Sequence, residues 1–315
     1  MYMKKVKLTC LLVLGLLSFT VQGQQKNTPA KLNASKIIRL SNSVIDLSND
    51  ANQALSSYTD MVSAADGNVS TLKRNNALKP TYLNYKIYEP DQRKKTEYDQ
   101  ASKAAPAFDE KTELLQLMSL VDSHMADVVR NSEALSSYFY KQEYQSDNDF
   151  SKYPALKDST EASIARAMVI WRKASALAAT TGDKAELLLL KDSKIAEFVI
   201  PMKSDLITLQ SVFTKVTDLE TDFPALETDV TALKASIEVN KDISNKDLKK
   251  LSDLYYKDAY ETFYRKCAEA ADYLAKLTIL LKQGSDDEQR MSGLFGYARV
   301  SYRNAIEQYN TFVSQ

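Results

Sequence analysis

The fold is decided most clearly by residues 108–143, which read FDEKTELLQLMSLVDSHMADVVRNSEALSSYFYKQE. Apolar or small residues recur there at alternating intervals of four and three positions: Leu114, Met118, Val121, Met125, Val128, Ser132, Leu135 and Phe139. This spacing places them along one face of an α-helix. At about 1.5 Å per residue, such a helix is more than ~50 Å long. The stretch therefore predicts a long amphipathic helix whose apolar face packs against other helices.

Similar patterns extend along most of the chain. They predict further helices over residues 32–62, 155–179, 183–216, 223–239, 244–281 and 287–313. Only seven glycines and seven prolines occur in 315 residues, which disfavours folds built on many tight turns. We expect an all-α fold, an elongated antiparallel bundle of about seven helices over residues 31–315. The first two helices are expected to pack against the last two, and residues 155–240 could form a second lobe.

Residues 63–107 are the exception to the helical pattern. They hold three of the prolines and a tyrosine-rich, strand-like stretch over 81–88. Irregular connections longer than ~15 residues are uncommon and are usually functional or disordered. We interpret this segment as an irregular insertion that carries a binding surface. Its candidate binding residues are Tyr82, Tyr85, Tyr88, Arg93, Lys94 and Lys95.

A second group of tyrosines lies in the predicted helix 244–281. Tyr256, Tyr260 and Tyr264 are four residues apart and share one helix face. A phenol ring offers flat apolar area and one hydrogen-bonding group, so these residues could line an amphipathic binding groove. Alternatively, they cover the edge of the core with their hydroxyls in water.

The N-terminus has the layout of a secretory signal peptide. Three lysines at positions 4–7 precede an apolar stretch over 8–21 and a small-residue exit ending at Gly23. We expect cleavage after Gly23, a short flexible lead-in over 24–30, and export to the periplasm or the extracellular space. The leader is too short for a permanent membrane span. Cys10 lacks the sequence context of a lipid-modified cysteine, so a lipoprotein is not expected.

Few residues could carry catalysis. His124 is the one histidine, and zinc, di-iron, P-loop and hydrolase nucleophile motifs are missing from the sequence. Cys267 falls in an apolar stripe and is interpreted as a packed core residue, and the polar run 147–149 as a solvated turn. With 41 basic and 41 acidic side chains, nothing indicates binding to nucleic acid. We predict a non-enzymatic protein without a cofactor or metal.

Three short segments resemble a known family. They are Lys31-Leu32-Asn33-Ala34, Tyr138-Phe139-Tyr140-Lys141 with Tyr144, and Tyr309-Asn310-Thr311-Phe312-Val313-Ser314. Together they resemble the YiiG-like family of bacterial extracytoplasmic helical proteins, a domain of unknown function. Ser35 departs from the aromatic residue of that family's pattern, and the lipobox of many members is missing. The resemblance implies an all-α extracytoplasmic domain and supplies no catalytic residues.

These observations leave three functional hypotheses. The leading one is a periplasmic or secreted binding module of the cell envelope, whose partner is a protein or an envelope glycan. The second is a structural envelope protein that self-associates through its helical faces. The third is a carboxylate-based glycan hydrolase, because two carboxylates suffice for glycoside hydrolysis.

Overall fold

The structure is a computed structural model that describes residues 28–75, 78–217, 221–242 and 256–313. This part of the chain forms eight α-helices, two short 3₁₀-helices and no strand. The α-helices are α1 (Pro29–Arg74), α2 (Gln92–Ala104), α3 (Lys111–Tyr140), α4 (Tyr153–Leu190), α5 (Ala196–Val216), α6 (Phe223–Lys241), α7 (Tyr256–Lys282) and α8 (Glu288–Val313). The prediction of an all-α helical bundle is confirmed. The expected leader, with residues 24–27 of the lead-in, lies outside the described residues.

The predicted apolar faces are buried. All eight residues of the 108–143 pattern are buried in α3. In α1 the residues at the same three- and four-residue spacing are buried from Leu40 to Met61, and in α7 those from Ala259 to Leu277 are buried. Burial of apolar surface stabilises such packing by roughly 25 cal/mol per Å². The periodicity of the sequence therefore identifies the core face of each of these helices.

Helix ends follow local capping chemistry. The Asp222 carboxylate accepts a hydrogen bond from the Ala225 N–H at 3.3 Å, with Pro224 in the first turn of α6. At α8 the cap is Asp287, whose carboxylate accepts from the Arg290 N–H at 2.9 Å. Gly284, at φ +64°, lies in the loop between α7 and α8, as is common after a helix C-terminus.

The predicted helix break at Gly182 is wrong, because α4 continues through it to Leu190. A Cβ atom built on Gly182 would lie 3.0 Å from the Ser41 Cβ and 3.3 Å from its Oγ. The glycine therefore permits close approach of α1 and α4 and does not end the helix. As a result α5 begins at Ala196 and not at residue 183.

The irregular insertion is shorter than predicted. Helix α1 continues to Arg74, and α2 occupies Gln92–Ala104. Between them, residues 78–90 are the main non-helical part of the predicted insertion that the structure describes. Asp91 caps α2 by accepting hydrogen bonds from the N–H groups of Arg93 (2.8 Å) and Lys94 (3.4 Å). These two N–H bonds lower the pKa of the Asp91 carboxyl.

The chain divides into two compact units. Of the described residues, the N-terminal unit contains those of Leu32–Gly182, and the C-terminal unit contains those from Asp183 onward together with residues 28–31. This division does not coincide with the predicted lobe at 155–240. The first two long helices belong to the N-terminal unit and the last two to the C-terminal unit, and the expected packing of the one pair on the other stays a prediction. Within the C-terminal unit, α7 packs against α5, α6 and α8.

The C-terminal unit contains a buried ionic cluster. The Lys203 ammonium on α5 lies 2.6 Å from an Asp183 oxygen and 2.7 Å from a Glu186 oxygen, both on the last turns of α4. Tyr309 on α8 donates a hydrogen bond to the other Glu186 oxygen at 2.8 Å. Burial alone would lower the pKa of Lys203, but the two carboxylates outweigh it and raise that pKa above its usual value. The cluster therefore ties α4, α5 and α8 together.

Candidate functional site

The segment 78–90 is held along α1 by side chains of that helix. The Asn68 carboxamide exchanges two hydrogen bonds with the backbone of Thr81, at 2.7 and 2.8 Å. Farther along, the Lys86 N–H donates to the Ser57 hydroxyl at 2.8 Å, and the Tyr88 N–H donates to the Tyr58 hydroxyl at 2.9 Å. Because segment numbers rise as α1 numbers fall, the segment runs back along α1. It is an ordered platform fixed to a rigid helix.

The three tyrosines of this segment do not form one surface. Tyr82 is 74% exposed. Tyr85 is half-buried, with its ring centroid 5.4 Å from that of Tyr58, and burial raises its pKa. Tyr88 is also half-buried, and its pKa is raised by burial and by the nearby Asp122 and Asp50. Tyr82 is therefore available to a partner, whereas Tyr85 and Tyr88 mainly anchor the segment.

The three predicted basic residues have different surroundings. Lys94 is partly buried and forms an ion pair with Asp50 at 2.7 Å. Arg93 is exposed, and Lys95 is half-buried. The carboxylates of Asp50 and Asp91 lie beside these basic residues. The sequence analysis did not identify either of them as a site residue. The predicted basic patch is thus a mixed-charge surface.

A pocket of about 280 Å³ opens between α1, the segment and the start of α2. Its lining residues are Asp50, Ala54, Lys86, Ile87, Tyr88, Glu89, Asp91 and Lys94. Three carboxylates and two ammonium groups surround a small apolar part. Ile87 is 46% exposed. The arrangement suits a ligand that combines hydrogen-bonding groups with a short apolar or ring surface.

Nothing local in the sequence indicates the α1 half of this pocket. Asp50 and Ala54 look like ordinary members of a helical repeat, and their place in the pocket depends on the path of residues 78–90. The Asp91 cap is different, because an aspartate directly before a polar helical stretch is a start signal. That signal could have located α2.

The second tyrosine group is not a binding groove. Tyr260 and Tyr264 are buried at 0% and 1% exposure, among the rings of Phe198, Phe263 and Phe312. The Tyr260 hydroxyl donates to the Asn240 carbonyl at 2.6 Å, and burial raises the pKa of Tyr260 to about 12.

Tyr256 is half-buried against Phe312, with ring centroids 5.2 Å apart. Since aromatic residues are as suitable for a core as for a groove, helical spacing alone did not distinguish the two readings. The predicted groove is therefore wrong. The alternative, in which the tyrosines cover the edge of the core with their hydroxyls in water, is wrong for Tyr260 and Tyr264, because these two side chains are buried inside the C-terminal unit.

Cys267 and Asp147 are both buried. Cys267 is fully buried, as predicted, and burial raises the pKa of its thiol. Asp147 is buried and not solvated as predicted. Its carboxylate accepts hydrogen bonds from Ser151 (2.5 Å), the Lys152 N–H (2.9 Å) and Tyr138 (2.8 Å). These bonds lower the pKa of Asp147 to about 2.

Over residues 28–313, apart from the stretches left undescribed, no group of three or more His, Cys, Asp or Glu side chains could hold a metal ion. None of the described helices has the length and apolar character needed to cross a membrane.

Comparison with known proteins supports the fold and does not extend to function. No protein-family model and no curated sequence matches the chain. An alpha helical protein from Bacteroides fragilis NCTC 9343, known from its crystal structure, is similar with a TM-score of 0.50 and 15% sequence identity. The similarity covers 91% of this chain and 100% of that one. At this identity it shows a shared helical fold, and the YiiG-like resemblance stays a prediction.

Proposed function

We propose that the protein is a non-enzymatic binding module of the cell envelope whose recognition surface is the segment 78–90 with the start of α2. The observation that carries this proposal is the ordered, non-helical segment fixed along α1. Four hydrogen bonds between its backbone and side chains of α1 hold the segment in place. Binding residues are commonly presented in this way, on a connection positioned by a rigid scaffold.

The chemistry of the surface supports recognition of a polar partner. Tyr82 offers an exposed ring, and Ile87 adds apolar area at the pocket. Lys86, Glu89 and Asp91 supply donors and acceptors of both signs. Tyrosine is enriched in protein–protein interfaces and among the residues that contribute most to binding there. The partner is therefore expected to be an envelope protein or an envelope glycan.

The test uses photo-crosslinking in cells at Tyr82, with Tyr140 as the matched control. Both are tyrosines of the N-terminal unit with nearly equal exposure, 74% and 77%, but Tyr140 lies at the end of α3. A photoreactive residue at position 82 should give a reproducible adduct that position 140 does not give. Equal adduct patterns at the two positions, or no adduct at position 82, would contradict the proposal.

Substitutions distinguish binding from folding. Tyr82→Ala and Ile87→Ser change exposed side chains, so helicity and thermal stability should stay close to those of the wild type. Loss of the adduct partner from affinity capture with these variants would assign recognition to the segment. Tyr140→Ala is the control and should retain the partner.

Export is part of the same proposal. The basic head, apolar stretch and small-residue exit of residues 1–23 support cleavage after Gly23. The mass and N-terminal sequence of the protein recovered from the periplasmic or culture fraction should show a chain beginning at Gln24. Recovery of the uncleaved chain from the cytoplasm would contradict export.

A further inference from the structure

The segment that carries the recognition surface is extended. Residues 79–90 contain no turn or bend. Asn68 and Ser57, which bind it from α1, are eleven residues apart, or about 16 Å along that helix. The five residues from Thr81 to Lys86 cover the same length at about 3.3 Å per residue, which is the rise of a β-strand. The chain is therefore strand-like here, although no strand in the described part of the chain pairs with it.

One edge of this extended chain is occupied by α1. The N–H groups of Lys86 and Tyr88 donate to side chains of that helix, at 2.8 and 2.9 Å. Along a strand, the N–H and C=O of one residue point to one edge, and those of the next residue point to the other edge. The backbone groups of Tyr85 and Ile87 therefore point away from α1. Thr81 also directs both of its groups to α1, so the regular alternation begins after it.

The opposite edge is unpaired. Within the described part of the chain, no hydrogen bond is found to the backbone N–H or C=O of Tyr85 or Ile87. Backbone groups without a partner are rarely buried, so these groups face solvent. The side chain of Ile87 is 46% exposed at this place. The edge thus offers two donors and two acceptors in the order that a second strand requires.

We propose that the partner is a protein and that it binds as an extended peptide, which adds a strand to the free edge at Tyr85 and Ile87. The inference rests on the proposed function and specifies the class of partner and the mode of binding. A peptide strand repeats its N–H and C=O groups every two residues, or about 6.6 Å. This is the interval between Tyr85 and Ile87, and the match favours a peptide over a glycan. In strand addition, main-chain hydrogen bonds supply affinity and side-chain contacts supply specificity.

The strand is fixed before a partner arrives. Leu83 is 3% exposed, and the ring of Tyr85 packs on that of Tyr58 with centroids 5.4 Å apart. Tyr85 also forms a hydrogen bond with Ser136 of α3. These contacts hold the inward face of the strand against the helices. Because the edge is already ordered, binding loses less conformational entropy.

Amide hydrogen exchange of the mature protein tests the free edge without a partner. The amides of Lys86 and Tyr88 should exchange slowly, because they donate to α1. Those of Tyr85 and Ile87 should exchange at least about tenfold faster. Equal protection of all four amides would overturn the proposal, because the edge would then be paired or buried already.

A phage-displayed library of random peptides, each of about twelve residues, is the probe for binding. Peptides selected on the wild-type protein should bind Ile87→Pro at least about tenfold more weakly, because proline removes the N–H of residue 87 and its ring obstructs the edge. Ile87→Ala is the matched control, since it removes most of the side chain and keeps the N–H. It should weaken binding clearly less than the proline does. A library that yields no binder would overturn the proposal.

N-methylation of a selected peptide tests strand pairing with the protein unchanged. Only every second amide of a paired peptide faces the edge, so the loss of binding should alternate along the peptide. Losses without alternation, or equal losses in Ile87→Pro and Ile87→Ala, would overturn strand addition. A photo-adduct at Tyr82 would in that case still support the proposed function. Absence of that adduct contradicts the proposed function itself, so the two failures are distinguishable.

Discussion

At the scale of the residue, Lys203 is a charged side chain on which the stability of the C-terminal unit depends. Its side chain is 5% exposed, and it faces two carboxylates at 2.6 and 2.7 Å. A buried ion pair adds little net stability over an apolar pair, but removing one partner leaves the other charge uncompensated. Here removal of the cation would leave Asp183 and Glu186 together without a counter-charge.

We therefore expect Lys203→Met to lower the free energy of unfolding by about 3–5 kcal/mol. Urea denaturation followed by circular dichroism measures the change. Lys234→Met is the control, since Lys234 forms its ion pair with Asp272 on the surface, with both side chains about half exposed. Exposed pairs contribute about 0–1 kcal/mol. A Lys203 variant as stable as the Lys234 variant would show that the cluster is not a structural tie.

The burial of a single residue could be predicted from the sequence where that residue belongs to a clear apolar pattern. Cys267 lies in an apolar stripe, and the structure buries it. The reading of Tyr260 and Tyr264 failed because tyrosine suits a core and a groove equally well. The partner of Lys94 could not be predicted, because Asp50 is 44 residues away in the sequence.

At the scale of the element, Gly182 illustrates how a local signal can be overridden by packing. Glycine followed by aspartate is a typical stop and restart of a helix, yet α4 continues through both residues. The close approach of Ser41 provides the reason. Apolar periodicity identified the buried faces of α1, α3 and α7 correctly, since burial of a face is a property of the whole helix and not of one residue.

Gly182→Ala should destabilise the protein by about 1–2 kcal/mol, although alanine is the better helix former by about 1 kcal/mol. The added methyl group would lie 3.0 Å from the Ser41 Cβ, so α1 and α4 would have to separate. Thermal and chemical unfolding measure the effect. In a double-mutant cycle with Ser41→Gly, the cost of Gly182→Ala should largely disappear. An unchanged cost would mean that contact with Ser41 is not its cause.

At the scale of the whole molecule, the fold class was predictable and the assembly was not. Two long helices with similar apolar faces do not indicate from sequence which helix each will pack against, so the division of the helices between two units could not be predicted. The division between the units falls inside α4, at Gly182 and Asp183. Each unit has its own polar anchors: hydrogen bonds to residues 78–90 in one, and the Lys203 cluster in the other.

The buried tyrosines of the C-terminal unit predict that the protein loses folding stability at alkaline pH. Burial raises the pKa of Tyr260 to about 12 and those of Tyr264, Tyr302 and Tyr309 further. Because the unfolded chain releases these protons more readily, their contribution to stability is complete below pH 10. It is lost as pH rises above 10 towards the folded-state pKa values.

Tyrosinate absorbance of these buried groups should therefore appear together with the loss of helicity in a pH titration. Tyr302→Phe keeps the packed ring and removes one titrating group, so stability should fall less steeply above pH 10 in this variant. At neutral pH the variant should be nearly as stable as wild type, since no hydrogen bond from the Tyr302 hydroxyl is seen in the described part of the chain. Tyrosinate formation well before unfolding would show that water reaches these hydroxyls in the folded state, and the C-terminal core would then be less tightly packed than its contacts indicate.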